Sequence, residues 1–120
     1  MASYPVQRTV EVDGSPTTIN YVDCGESAKG SATVFLVHGL GGRWQHWLRV
    51  LPAISTRWRV IAVDLPGFGR SPLPRRRITL EYLADAIAAL ARALELERIA
   101  FVGHSFGGPL GTTFAARHPD

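Results

Sequence analysis

Residues 99–108 read IAFVGHSFGG, four apolar residues followed by Ser105 set among Gly103, Gly107 and Gly108. A short apolar run halted by glycine is the pattern of a buried strand, and the residues after it continue as a helix to about Arg117. Between the two, GHSFG at 103–107 fits G-x-S-x-G in the strand, turn and helix setting that gives this motif its meaning. Outside that setting it is a glycine-rich turn with an incidental serine. So sharp a turn forces the serine into a strained backbone conformation. It also brings strand and helix too close for side chains at 103 and 107. The Ser105 hydroxyl then stands at the head of a helix, whose unpaired amides and dipole favour developing negative charge. His104 reads as a packing or supporting residue, because neighbours in a tight turn point apart.

Upstream, ATVFLVHGLGG at 32–42 is another apolar run stopped by glycines, as in a parallel strand buried on both faces. Rigid backbone amides in HGLGG would suit an oxyanion; taken alone, the segment is equally a flexible turn. From Arg43 to Ile54, Trp44, Trp47, Leu48 and Leu51 fall on one side of an expected helix. Trp44 and Trp47 therefore read as core more readily than as a stacking platform. The design repeats in WRVIAVDLPGFGRSPLP, with a strand at Val60 to Val63 and a shaped loop. Asp64 is that loop's carboxylate and is expected to fix it by hydrogen bonds. Thr79 can cap a helix whose apolar positions run from Leu80 to Leu94. At the N-terminal end, residues 8–12 and 17–22 alternate around DGSP and form a hairpin, followed by a polar loop at 24–31. A hairpin, then strand and helix alternating three times over about 33–118, builds an α/β sheet that is parallel in its centre and carries helices on both faces. The chemistry then gathers at the C-terminal ends of the strands, where open parallel sheets bind ligands.

Composition narrows the class. A hydrophobic content of 46% with 19% charged residues is that of a folded domain, and a net charge of +3 implies no nucleic-acid surface. Arg75-Arg76-Arg77 reads as a solvated loop, an anionic ligand or partner being the alternative. One cysteine, Cys24, allows neither an internal disulfide nor a cysteine-based metal cluster. No phosphate-binding glycine motif and no H-E-x-x-H are present, so neither a nucleotide cofactor nor a metal is expected. Neither a signal-peptide core nor a membrane-length apolar segment is found, and the expected location is cytoplasmic.

In order and spacing, VFLVHGLGG, VIAVDLPGFGRS and IAFVGHSFGG resemble the third, fourth and fifth strands of the α/β-hydrolase family with their following loops. The resemblance runs from about Arg8 to the end of the chain. It implies Ser105 as nucleophile and the backbone amides of Leu40 and Phe106 as oxyanion-hole donors, with Gly39, Gly41, Gly103 and Gly107 shaping the two loops. It implies a small ester or related acyl substrate, or carbon–carbon cleavage, and no cofactor. A serine here disfavours the branches that attack through a carboxylate, such as epoxide hydrolases. Family members place the acid and histidine after the serine, whereas here only PLGTTFAARHPD follows IAFVGHSFGG, which resembles the family's fifth strand and nucleophile elbow. The expectation is an incomplete α/β-hydrolase domain over 1–120, cut before the sixth strand, inactive alone and with the elbow strand at an exposed edge. Two other readings stand beside the hydrolase: a non-catalytic fragment or binding scaffold, and a cofactor-free perhydrolase or haloperoxidase.

Overall fold

The computed structural model describes residues 5–26 and 31–119; residues 27–30 of the polar loop expected at 24–31 lie outside them. Strands β1 (Val6–Val12) and β2 (Ser15–Cys24) form the expected hairpin, with Val12 opposite Ser15. Asp13 and Gly14 both take positive φ, 51° and 78°, the turn that matches the natural twist of paired strands. Strands β3 (Thr33–Val37), β4 (Val60–Asp64) and β5 (Ile99–Gly103) complete one sheet in the order β1-β2-β4-β3-β5. The β3 strand lies between β4 and β5 and is parallel to both, whereas β2 meets β4 antiparallel.

Every residue of β3 and β4 is buried, because both faces of the central sheet are covered. Phe35, Val37, Ile61 and Val63 face a large cluster with α2 (Leu80–Ala93) and Leu110 of α3 (Gly107–Arg117). Their neighbours Val34, Leu36, Val60 and Ala62 face a smaller cluster with Leu51 of α1 (Leu51–Ser55), Trp44, Trp47 and Ile54. Thr79 caps α2, its Oγ1 accepting from the Tyr82 amide at 3.0 Å. As expected, β5 stands at the sheet edge: Ile99 and Phe101 pack on the large cluster, while Ala100 and Val102 on the other face are exposed.

One expectation is corrected. The helix expected from Arg43 to Ile54 is broken into a 3₁₀ turn at Trp44–Trp47 and the short α1. Pro52 is the cause: it lacks an amide, and its ring would strike the carbonyl of Leu48 in a continuous helix, but it fits the first turn of a new one. Trp44, Trp47 and Leu51 still share the sheet-facing side, while Leu48 turns out to solvent.

Candidate active site

The turn after β5 has the geometry its glycines require. Ser105 has φ of 55°, the left-handed region that a serine enters only at a cost. A side chain at Gly103 would run into the backbone of Gly107, and one at Gly107 would come within 2.6 Å of the Val37 carbonyl oxygen. Strand, helix and neighbouring strand thus meet at backbone distance. The His104 amide donates to Val37 O at 3.1 Å, and the amides of Gly107 and Gly108 donate to His104 O and Ser105 O, both at 2.9 Å. These bonds start α3 directly beneath an exposed Ser105.

The HGLGG loop lies against this turn. A Cβ on Gly39 would sit 3.1 Å from His104 O and 3.2 Å from Ser105 Cβ. Gly41 has φ of 73°, the conformation that glycine supplies without strain. Among the described residues, neither the Leu40 amide nor the Phe106 amide donates to a protein acceptor. The two loops in contact therefore each carry a backbone amide without a protein acceptor.

A buried polar hub fixes the HGLGG loop. Asp64, at the end of β4 and fully buried, accepts from the Trp44 amide at 2.7 Å, from Asn20 Nδ2 at 2.9 Å and from the Arg70 amide at 2.9 Å. It thus fixes its own loop through hydrogen bonds, as its sequence position suggested, and holds the end of the preceding loop as well. His38, also buried, faces Gly39 O through Nδ1 at 2.7 Å, while its Nε2 receives the Leu65 amide at 3.0 Å. Those partners require a neutral ring with the proton on Nδ1. Burial favours that state and lowers the His38 pKa, against the opposing pull of the Gly39 carbonyl and Asp64. Ser71 completes the hub, its Oγ donating to Asp64 O at 2.6 Å and receiving the Asn20 amide at 2.8 Å. Sequence reasoning missed His38, Asn20 and Ser71 as parts of this hub. Ser71 sits in the glycine-rich loop and His38 at a strand end, but nothing in the spacing of Asn20 points to Asp64, 44 positions away.

Among the described residues, no histidine or carboxylate hydrogen-bonds Ser105 Oγ. His38 is committed inward. His104 is exposed, its ring beside Gly39 of the HGLGG loop. His46 is exposed too. His118 lies at the far end of α3, where its Nε2 is 2.8 Å from Asp85 Oδ1 of α2. Arg117 grips the same carboxylate through Nε and a second guanidinium nitrogen at 2.9 and 2.7 Å, and with His118 it holds the Asp85 pKa below the ordinary carboxylate value. That cluster ties α2 to α3, away from the serine. No helix among the described residues is long and apolar enough to cross a membrane.

A strained serine on a strand-to-helix turn, with a glycine loop from the adjacent parallel strand abutting it, defines the class as an α/β-sheet protein of hydrolase architecture. Residues 32–120 match the family model described as alpha/beta hydrolase fold, and the chain belongs to that family. It is 35% identical to epoxide hydrolase 3 of Xenopus tropicalis over 113 residues, 92% of this chain and 30% of that protein. It is 37% identical to 2-hydroxy-6-oxo-2,4-heptadienoate hydrolase of Pseudomonas putida over 118 residues, 95% of this chain and 41% of that protein. Among solved structures, a thermophilic esterase from Thermogutta terrifontis superposes with a TM-score of 0.85 at 29% identity, over 98% of this chain and 42% of that one. The chain thus spans between about three tenths and two fifths of the length of these relatives.

Proposed function

We propose that the chain carries the nucleophile and the oxyanion hole of a serine hydrolase that attacks an ester or related acyl carbon. The observation that supports this most is the pairing of Ser105, at φ of 55° on the turn between β5 and α3, with the free amides of Leu40 and Phe106 on two loops in contact. In this reading Ser105 Oγ adds to the substrate carbonyl. The oxygen that gains the charge is met by the two amides, placed before the reaction begins and so needing no reorganisation. The head of α3 adds its dipole to the same point. A hydroxyl at this position favours acyl transfer over the carboxylate route to epoxide opening. The C–C hydrolase and esterase likenesses both accord with addition to a carbonyl.

The groups that remove and return the proton of Ser105 would come from outside the described residues, since His38, His118, Asp64 and Asp85 are held elsewhere. That same observation favours a second reading, a hydrolase-like scaffold without catalysis. Labelling of the full-length protein with a fluorophosphonate probe separates the two. Labelling that is lost in Ser105→Ala supports the hydrolase, whereas an unlabelled parent or a labelled Ser105→Ala protein sinks it.

A further inference from the structure

The loop between β4 and α2, residues 65–79, carries Arg70, Arg75, Arg76 and Arg77 and no acidic residue. Arg76 is committed: it pairs with Asp13 Oδ2 at 3.1 Å and lies over the Tyr82 ring at 4.3 Å. Arg70, Arg75 and Arg77 are exposed, and no side-chain hydrogen bond or ion pair engages them among the described residues. Within this cationic loop Leu73 is 76% exposed, the most exposed large apolar side chain among the described residues. Its presentation is built in, because Pro72 and Pro74 on either side restrict the backbone and the Gly67 amide closes the loop on Pro72 O at 3.1 Å. Beside Leu73 a groove of about 420 Å³ runs between the loop and the β1–β2 hairpin, bordered by Arg75, Arg76 and Tyr82.

We infer that this loop is a docking surface for an anionic lipid membrane, with Leu73 entering the headgroup boundary and Arg70, Arg75 and Arg77 facing the negative surface. Charge complementarity selects an anionic partner. The exposed leucine between two prolines favours a bilayer over a soluble polyanion, since its burial gains free energy only from a partner with an apolar layer. Asp13 does not oppose this, because Arg76 neutralises it. Each guanidinium close to such a surface contributes about fivefold in partitioning, and that contribution is screened by salt.

The test is cosedimentation of the full-length protein with vesicles of phosphatidylcholine alone and of phosphatidylcholine mixed with phosphatidylglycerol. Binding is expected to the mixed vesicles only and to fall as salt rises. The pair Arg75→Gln and Arg77→Gln should lower it about 25-fold, and Leu73→Ser should lower it separately. These side chains are exposed, so circular dichroism should show each variant folded. Equal binding to both vesicle types, no binding to either, or a Leu73→Ser protein that binds like the parent would overturn the proposal. So would capture by soluble polyphosphate of parent and Leu73→Ser protein alike with no vesicle binding, which would assign the arginines to a soluble anion.

Discussion

Replacing Asp64 by asparagine and by alanine should produce two well-separated losses of stability. Three donors converge on the carboxylate: Trp44 N on Oδ1, and Asn20 Nδ2 and Arg70 N on Oδ2. Asparagine retains one oxygen. If that oxygen takes the Oδ2 place, Asn20 and Arg70 stay satisfied and the new NH₂ faces the Trp44 amide. If it takes the Oδ1 place, Asn20 can turn its own amide over and accept, and the Arg70 amide is left facing the NH₂. Either way one of the three donors loses its acceptor beside a fully buried side chain, at a cost of about 2 kcal/mol. Alanine orphans all three and leaves a small void, which water partly relieves, for a loss of about 3–5 kcal/mol. A domain's whole stability is about 5–15 kcal/mol, so the alanine protein should lose a large share of it. Urea unfolding followed by tryptophan fluorescence measures both, since Trp44 and Trp47 pack on the sheet beside the site. An alanine variant within about 1 kcal/mol of the parent, or an asparagine variant as unstable as the alanine one, would refute the account of Asp64 as a three-way acceptor.

Further outcomes follow from the two loops and from His38. Gly103→Ala places a methyl into the Gly107 backbone, which cannot withdraw without unseating α3, and should cost at least about 3 kcal/mol in the same unfolding assay. Gly41→Ala meets no atom within 4 Å and should cost only the left-handed backbone, about 1 kcal/mol; equal losses at the two sites would contradict this geometry. Burial lowers the His38 pKa, so the unfolded chain takes up a proton there before the folded one does. Stability should therefore be insensitive to this group above about pH 6.5 and decline below it. His38→Gln should flatten that acid limb, and an unchanged slope in the variant would remove His38 as its source. If Leu40 N and Phe106 N form the oxyanion hole, Asp64→Asn should also lower kcat of the full-length hydrolase more than it raises KM, because Trp44 N anchors the end of the HGLGG loop.

The elbow was legible in the sequence because its constraints are local. Gly103 and Gly107 announce a close approach, Ser105 lies between strand and helix, and Asp13-Gly14 announces the hairpin. The interrupted helix was legible in principle, since Pro52 is in plain view; the apolar spacing of Trp44, Trp47, Leu48 and Leu51 outweighed it in the reading and still described the buried side correctly for all but Leu48. His104 was legible only in part: the tight turn sets its side chain apart from that of Ser105, and it stands exposed beside Gly39 at the edge of the described sheet.

By itself the sequence determined the α/β alternation, the strand that bears the serine, and the glycines that let strand and helix meet, because periodicity and backbone sterics act over a few residues. Only the tertiary structure decided which polar groups hold the HGLGG loop. Asn20, His38 and the pair Asp64 and Ser71 come from three separate segments, and they meet because the antiparallel register of β2 sets Asn20 opposite Asp64 while the parallel register of β3 brings the end of that strand alongside β4. Hydrogen bonds reach about 3 Å, so a chain can encode the partners only by first folding the sheet that brings them together.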